Sequence, residues 1–291
     1  MKVLDLRYEF HNELDQIYGK DEVDSFFCIT MEHYLGLNRF KLAMAPDQLI
    51  KTEDTKVITD VLIQLKKHRP IQYILGQAEF FGLKFMVDEH VLIPRQETEE
   101  LVALVIAHGK TLKSDRKRLN ILDIGTGSGC IAISLAKNIP YANVYALDVS
   151  KDALVVAKEN AKRNNAAVEF INANILDEDS WNLNYANSDL DILVSNPPYV
   201  RHLEKASMKP NVLENEPGLA LFVENDDPLL FYRKITDFAT QKLKKGGQLF
   251  FEINQYLGAE TKQLLHKENF SQITLRKDLN GNDRMLTAEK I

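Results

Sequence analysis

The sequence predicts an α/β fold, in which a doubly wound, mostly parallel sheet follows a small helical region. Two observations lead to this prediction. From residue 119 onward, short apolar stretches alternate with amphipathic helical segments, an alternation typical of parallel sheets covered by helices. Before residue 71, apolar residues recur at helical spacing instead.

The composition is that of an ordinary globular protein. Of 291 residues, 45% are hydrophobic and 27% are charged, unlike a disordered chain. A formal charge of −6 argues against stable binding to nucleic acid, and the seven histidines show no metal-ligand spacing. With only Cys28 and Cys130, no signal-peptide core and no membrane-length apolar run, we predict a cytoplasmic protein without membrane association.

The elements of the first part of the chain follow from its apolar spacing. Between Thr55 and Lys67, five apolar residues fall on one face of a helix: Val57, Ile58, Val61, Leu62 and Leu65. From Ile71 to Pro94, aromatic and β-branched residues around two glycines predict a hairpin followed by an extended segment. Residues 97–109 return to helical spacing, and the charged residues 110–118 form a solvated connection. The predicted domains are residues 1–75, a hairpin connector at 76–95, and a catalytic domain at 96–291.

The sheet elements come next. The predicted strands are 119–124, 143–149, 167–172, 191–196, 247–253, 272–277 and 284–288. The predicted helices are 130–138, 151–164, 228–244 and 257–268. Two strands so close together at the end of the chain predict an antiparallel hairpin at or near one edge of the sheet.

A glycine-rich loop follows the first strand of this sheet. Asp123 is followed by Gly125, Gly127 and Gly129, and a helix begins directly afterwards. Glycines permit a tight turn and let a ligand lie against bare backbone near a helix N-terminus. The spacing suits a dinucleotide or a nucleoside cofactor, and a tight turn without a ligand is the alternative.

An acidic residue, Asp148, ends the next strand about 20 residues after that loop. A carboxylate at this place is the usual partner of the two ribose hydroxyls of a nucleotide or nucleoside. The alternative role is to cap the helix that begins near Lys151. The loop and Asp148 together indicate a nucleoside cofactor without separating NAD from S-adenosylmethionine.

A rigid loop, Asn196-Pro197-Pro198-Tyr199, follows the strand at 191–196. The two prolines fix their φ angles and remove two N–H donors. The loop therefore offers carbonyl oxygens and the Asn196 side-chain oxygen as acceptors beside an aromatic ring. Such a set suits a planar group with two N–H bonds, an exocyclic amine or a carboxamide.

With these motifs, the chain resembles the class I S-adenosylmethionine-dependent methyltransferases that modify planar amino groups. It is similar more specifically to the HemK/PrmC family, the release factor glutamine methyltransferases. Four further stretches carry the resemblance: residues 70–76, 80–100, 215–221 and 279–288. It covers the chain from about residue 70 to its end, while the part before matches only in length and helical character.

The resemblance implies a Rossmann-like seven-stranded sheet and a helical N-terminal domain that docks the substrate. It implies methyl transfer from S-adenosylmethionine to the side-chain amide nitrogen (N5) of the glutamine in the Gly-Gly-Gln motif of peptide chain release factors, modulating translation termination. The implied catalytic residues are Asn196, Pro197, Pro198 and Tyr199. The implied cofactor-binding residues are Gly125, Thr126, Gly127, Ser128, Gly129, Asp148, Ile175 and Asn196.

The chain departs from the usual family pattern at four places. Gln96 stands where a proline is usual, Asn174 where an aspartate is common, and Asn254 where a glycine is usual. Residues 223–228 replace a glycine-rich turn. Gln96, Asn174 and residues 223–228 are expected to affect loop geometry or adenine contacts, and none of the four departures removes the Asn196–Tyr199 loop.

Other readings stay open at the level of sequence. A nucleic-acid adenine methyltransferase faces the same chemical problem, but it usually needs a basic surface. A different amide substrate, a binding module without catalysis and an NAD dehydrogenase are further alternatives. Leu92 is either a wall of the substrate pocket or a core residue, and residues 94–99 either line the mouth of the site or anchor a helix. The N-terminal domain is either a docking domain or a stabilising cap.

Overall fold

The computed structural model of the protein describes residues 1–112, 118–181 and 190–291. These residues form two compact units. The helical unit consists of Met1–Gln77 and Lys209–Asn215, and the sheet unit of Ala78–Met208 and Glu216–Ile291. Most of the predicted charged connection at 110–118 lies outside the described residues.

The secondary structure of the described residues is as follows. The α-helices are α1 (Val3–Tyr18), α2 (Lys20–Leu35), α3 (Arg39–Met44), α4 (Thr52–Lys66), α5 (Ile71–Leu75), α6 (Gln96–Thr111), α7 (Cys130–Asn138), α8 (Lys151–Arg163), α9 (Pro210–Leu213), α10 (Gly218–Leu221), α11 (Leu230–Lys242) and α12 (Gly258–Lys267). The strands are β1 (Gln77–Phe80), β2 (Leu83–Met86), β3 (Leu119–Ile124), β4 (Ala142–Asp148), β5 (Glu169–Asn172), β6 (Leu190–Ser195), β7 (Val200–Arg201), β8 (Phe222–Val223), β9 (Leu243–Glu252), β10 (Phe270–Lys277) and β11 (Asp283–Lys290).

The helical unit is built around an apolar core shared by α1, α2 and α4. Phe10 of α1 and Phe27 of α2 are buried there with their rings edge to face, 5.5 Å between centroids. The helix predicted at 55–67 is α4, and four of its five predicted apolar residues are buried. The fifth, Val57, is 42% exposed, because it lies at the margin of the apolar face.

The hairpin predicted within residues 71–94 is confirmed, but the prediction is wrong for the first residues of this segment. β1 and β2 pair as a two-stranded sheet, but residues 71–75 form the short helix α5. Pro70 precedes this helix, and Gly76 ends it with a φ of +64°. Proline favours a helix start and a left-handed glycine its end, so these two residues outweigh the strand preference of the residues between them.

The large sheet has seven strands in the order β10-β11-β9-β6-β3-β4-β5. Five neighbouring strands are parallel, while β11 is antiparallel to β9 and to β10. The hairpin of β10 and β11 therefore closes one edge, with the later strand inserted next to β9. This arrangement confirms the predicted fold class, and the predicted strands match the observed ones with ends that differ by a few residues.

The two faces of this sheet are covered by separate apolar clusters. One face packs against residues such as Tyr232 and Phe238 of α11. The other packs against Val102 and Val105 of α6 and Ile133 of α7. A search of residues 1–112, 118–181 and 190–291 for helices long and apolar enough to cross a membrane found none.

Candidate active site

Three loops that follow neighbouring strands meet around one cavity of the sheet unit. Ile124, at the end of β3, pairs in parallel register with Leu147 of β4 and Ser195 of β6. The loops after these strands therefore leave the sheet at one edge, the place where open α/β sheets bind ligands. The cavity is also lined by residues 89–92 and by Pro217, Leu219 and Ala220.

Two glycines of the loop after β3 present bare backbone to this cavity. Gly125 and Gly127 have φ angles of +74° and +54°, a region that favours glycine. A Cβ atom added at either position would meet no protein atom within 4 Å, so the space beside them is open to a ligand. Gly129 differs, since an added Cβ would lie 3.2 Å from Cβ of Ala157. It allows the start of α7 to approach α8.

The side chains of Thr126 and Ser128 are buried beneath the same loop. The Thr126 hydroxyl donates to Oδ2 of Asp123 at 2.6 Å, and the Ser128 carbonyl accepts from Nδ2 of Asn160 at 2.9 Å. Burial raises the pKa of Asp123 to about 7. These hydrogen bonds fix the shape of the loop.

Asp148 ends β4 and lines the cavity. Its Oδ2 accepts from the backbone N–H of Gly127 at 2.8 Å, and its Oδ1 accepts from that of Ser150 at 2.9 Å. Burial raises the pKa of this carboxyl. Each oxygen keeps a further lone pair for a hydroxyl donor. The helix cap that was the alternative role of Asp148 is supplied by Ser150, which accepts from the N–H of Ala153.

Asn196, Pro197 and Pro198 follow β6 and line the cavity. The Tyr199 hydroxyl donates to Oε1 of Glu252 at 3.1 Å, and the side chain packs against the apolar cluster on one face of the sheet. Burial, together with the nearby carboxylate, raises the pKa of Tyr199 well above its usual value.

Behind Asn196 lie two side chains that the sequence analysis did not single out. Nδ2 of Asn196 is 3.2 Å from Oγ1 of Thr98, on α6. The Thr98 hydroxyl is 2.6 Å from Oε2 of Glu252, the last residue of β9. Thr98 and Glu252 are both buried. The signals in the sequence were the place of Thr98 within residues 94–99, predicted to line the mouth of the site or anchor a helix, and the position of Glu252 near the end of a predicted strand.

A buried carboxylate joins two segments that form the opposite wall of the cavity. Glu216 accepts from the backbone N–H of Ile93 at 3.2 Å and pairs with the Arg95 guanidinium at 2.5 Å. Leu92 precedes the first segment and lines the cavity, while Pro217 follows Glu216 and lines it too. Of the two places predicted for Leu92, a pocket wall or the core, the structure places it on the wall of the cavity.

The far end of the cavity is apolar. Ile175 lies there, and Asn174 beside it uses its Oδ1 to accept the N–H of Leu176 at 3.0 Å. Phe231 and Ile235 of α11 complete this end. An apolar slot, a carboxylate and open glycine backbone together fit the base, the ribose and the amino-acid part of a nucleoside cofactor. A search of the described parts of the chain found no cluster of His, Cys, Asp and Glu able to hold a metal ion.

Two family descriptions match this chain. Residues 7–76 match the PrmC N-terminal domain, and residues 107–216 match the methyltransferase small domain. The first match lies within the helical unit. The second contains the glycine loop, Asp148 and the Asn196–Tyr199 loop.

Curated relatives extend the match over nearly the whole chain. A release factor glutamine methyltransferase of Flavobacterium psychrophilum is 52% identical over 98% of this chain and 98% of its own length. The chain belongs to the release factor glutamine methyltransferase family. The enzyme of that name from Bacteroides thetaiotaomicron is 41% identical over 95% of this chain and 96% of its own. The cofactor of this family is S-adenosylmethionine.

Solved structures agree on the fold. The catalytic domain of hMettl16, in complex with the MAT2A 3'UTR hairpin 1, has a TM-score of 0.56 at 18% identity and covers 90% of this chain and 88% of its own. At this identity the likeness shows the fold alone. Membership of the glutamine methyltransferase family excludes the dehydrogenase reading, which depended on the glycine loop only.

Three of the four departures from the family pattern have clear structural places. Gln96 is the exposed first residue of α6, where the usual proline is favoured but not required. Asn174 forms the turn already described. Nδ2 of Asn254 donates to the Tyr199 carbonyl at 2.9 Å and to Oε2 of Glu204 at 3.1 Å. It therefore braces the chain where it leaves the Asn196–Tyr199 loop.

Proposed function

We propose that this protein transfers a methyl group from S-adenosylmethionine to the side-chain amide nitrogen of the glutamine in the Gly-Gly-Gln motif of peptide chain release factors, and so modulates translation termination. The observation that carries the proposal is the 52% identity to a release factor glutamine methyltransferase over 98% of both chains. The Asn196–Tyr199 loop at the cavity supports it, because its chemistry suits a carboxamide.

Asn196 and the carbonyl of Pro197 act on the glutamine amide. An amide nitrogen is a weak nucleophile because its lone pair is delocalised into the carbonyl. Acceptors for its two N–H bonds orient it and favour the positive charge that develops on nitrogen. Pro197 and Pro198 stiffen the loop, and Tyr199 anchors it to Glu252. As the new N–C bond forms, the bond between that carbon and the sulfonium sulfur breaks to leave a neutral thioether, and the amide nitrogen loses one proton to solvent.

Residues of the loops after β3, β4, β5 and β6 would hold the cofactor, which would supply an electrophilic methyl group on a sulfonium. Gly125 and Gly127 accommodate its amino-acid part with their backbone, while Thr126, Ser128 and Gly129 maintain the shape of the loop. Asp148 accepts the ribose hydroxyls, and Ile175 borders the adenine. These assignments rest on the lining of the cavity and on the open space beside the two glycines.

The predicted domains keep their proposed roles. Residues 1–75 dock the release factor, residues 76–95 connect, and residues 96–291 carry catalysis. Because release factors act in translation, we place the protein in the cytoplasm. The release factor is its partner, and neither stable nucleic-acid binding nor membrane association is part of the proposal.

The proposal is tested by peptide mass spectrometry of a release factor incubated with the protein and S-adenosylmethionine. We expect one added methyl group on the glutamine of the Gly-Gly-Gln motif. A matched substrate with alanine in place of that glutamine should stay unmodified. Methylation of both substrates, or of neither by protein that binds the cofactor, would refute the assignment.

A further inference from the structure

We propose that Thr98 and Glu252 are positioning residues that fix the side-chain amide of Asn196 with its oxygen toward the cavity. We call these three side chains the amide relay. The proposal rests on the proposed function, since the oxygen of Asn196 is useful as an acceptor only if the substrate presents N–H bonds. It deepens that function by naming the groups that set the direction of the catalytic amide.

The direction of the amide follows from the single proton of the Thr98 hydroxyl. Oγ1 of Thr98 lies 2.6 Å from Oε2 of Glu252, a length typical of a hydroxyl that donates to a carboxylate. Once this proton is directed at Glu252, the Thr98 oxygen can only accept from Asn196. The group that faces it must therefore be the amide nitrogen Nδ2, at 3.2 Å. Oδ1 then remains on the other side of the amide.

The surroundings of Glu252 favour this direction of donation. Oε2 receives the Thr98 hydroxyl and Oε1 receives the Tyr199 hydroxyl, so both oxygens accept. Burial raises the pKa of Glu252, while these two hydrogen bonds and the charge of Arg284 oppose that shift. The remaining titratable groups around it are Glu97, Cys130 and Tyr232.

A change at either end of the relay alters what Asn196 presents. In Glu252→Gln, the new amide can donate to Thr98, whose hydroxyl is then free to donate to Oδ1 of Asn196. The side-chain amide of Asn196 would then rotate so that Oδ1 and Nδ2 exchange places, and its N–H bonds would face the N–H bonds of the substrate. In Thr98→Val the acceptor is lost and either orientation is allowed. Both changes reduce the ability of the Asn196 oxygen to accept from the substrate amide in the methyl-transfer step. They affect binding of the release factor less.

The test compares kcat and KM for release factor methylation, and the Kd for S-adenosylmethionine, in four variants. Thr98→Val and Glu252→Gln should each lower kcat about tenfold or more, the loss expected for one charge-linked hydrogen bond, with KM and Kd changed less than about twofold. Thr98→Ser keeps the hydroxyl and should retain activity within about threefold of the wild type. The double variant Thr98→Val with Glu252→Gln should be no slower than the slower single variant, because both break one relay.

A matched control separates positioning from a loss of packing. Thr261 is also buried, and its hydroxyl donates to the Leu257 carbonyl at 2.7 Å within its own helix. Thr261→Val should keep full kcat even where its melting temperature falls as far as that of Thr98→Val. Equal activity of Thr98→Val and Thr98→Ser, or losses that multiply in the double variant, would overturn the relay. An inactive wild type would refute the proposed function instead, so the two failures are distinguishable.

Discussion

Asp123 should make the stability of the sheet unit depend on pH. The carboxyl lies buried beneath the glycine loop, where burial raises its pKa from 3.8 to about 7. Between these two values, the folded state keeps a proton that the unfolded state has released. The free energy of unfolding therefore falls as the pH rises through this interval, and the contribution of Asp123 is fully present only below the unfolded pKa.

The size of the effect follows from the shift. A change from 3.8 to about 7 corresponds to about 4 kcal/mol as an upper limit. Asp123→Asn removes the titration and keeps an oxygen that can accept the Thr126 hydroxyl. Relative to the wild type, this variant should gain up to about 4 kcal/mol of stability between pH 4 and pH 8.

The assay is urea unfolding followed by the fluorescence of Trp181, the single tryptophan of the chain. Trp181 is buried in the same apolar cluster as Leu122 and Ile124, the neighbours of Asp123, so it reports on the right unit. Other titrating groups are common to both proteins and cancel in the difference. A difference between variant and wild type that stays constant from pH 4 to pH 8 would refute the reasoning.

Asp278 provides a control of opposite sign. It is buried, but hydrogen bonds from the Asn282 backbone and from Arg284 hold the pKa of this carboxyl below its usual value. Its contribution to stability is therefore present at neutral pH and lost in acid. Asp278→Asn should be less stable than the wild type at pH 7, and the loss should shrink as the pH falls through the pKa of Asp278.

Three further predictions concern the cavity. Gly127→Ala should raise the Kd for S-adenosylmethionine at least about tenfold, with a stability loss near 1 kcal/mol. Gly129→Ala should lower the free energy of unfolding in urea by about 3 kcal/mol, because the added Cβ would lie 2.9 Å from Cδ1 of Ile133. Asp148→Asn should weaken cofactor binding by about tenfold or more in calorimetry, since hydroxyl hydrogen bonds to a charged acceptor are lost. Glu216→Ala should destabilise the sheet unit by about 1–3 kcal/mol, because the buried N–H of Ile93 loses its acceptor.

Each of these predictions has a clear contrary result. An unchanged Kd for S-adenosylmethionine in Gly127→Ala would mean that the open space beside Gly127 is not a ligand site, and equal stability losses in the two glycine variants would contradict the packing role of Gly129. Unchanged affinity in Asp148→Asn would remove the ribose assignment. If Glu216→Ala unfolds at the same urea concentration as the wild type, the carboxylate does not hold the two wall segments together.

Most of the fold could be predicted from the sequence because its signals are local. The alternation of apolar strands with amphipathic helices after residue 119 is enough to indicate a doubly wound sheet. The prediction failed at Ile71–Leu75, where apolar residues suit either state and the flanking Pro70 and Gly76 decided for a helix. The position of β11 between β9 and β10 depends on strand pairing across the whole sheet, so the sequence predicted only a hairpin at or near one edge.

The candidate site could be predicted in part. Asp148 is the last residue of one strand and Asn196 directly follows another, so the sheet topology alone brings them to one edge. Thr98 and Glu252 are 154 residues apart along the chain, and a single sequence contains no signal for a contact of that separation. The catalytic role of Tyr199 stays a prediction, and the structure adds that its hydroxyl donates to Glu252.

The central claim is that Asn196 acts in catalysis and not in holding the fold. The most direct measurement compares wild type and Asn196→Ala at saturating S-adenosylmethionine, by the rate of methyl addition to the Gly-Gly-Gln glutamine, with cofactor affinity measured in parallel. We predict a loss of about a hundredfold or more in rate, much larger than the change in the Kd for the cofactor. Wild-type rates in Asn196→Ala would contradict the account.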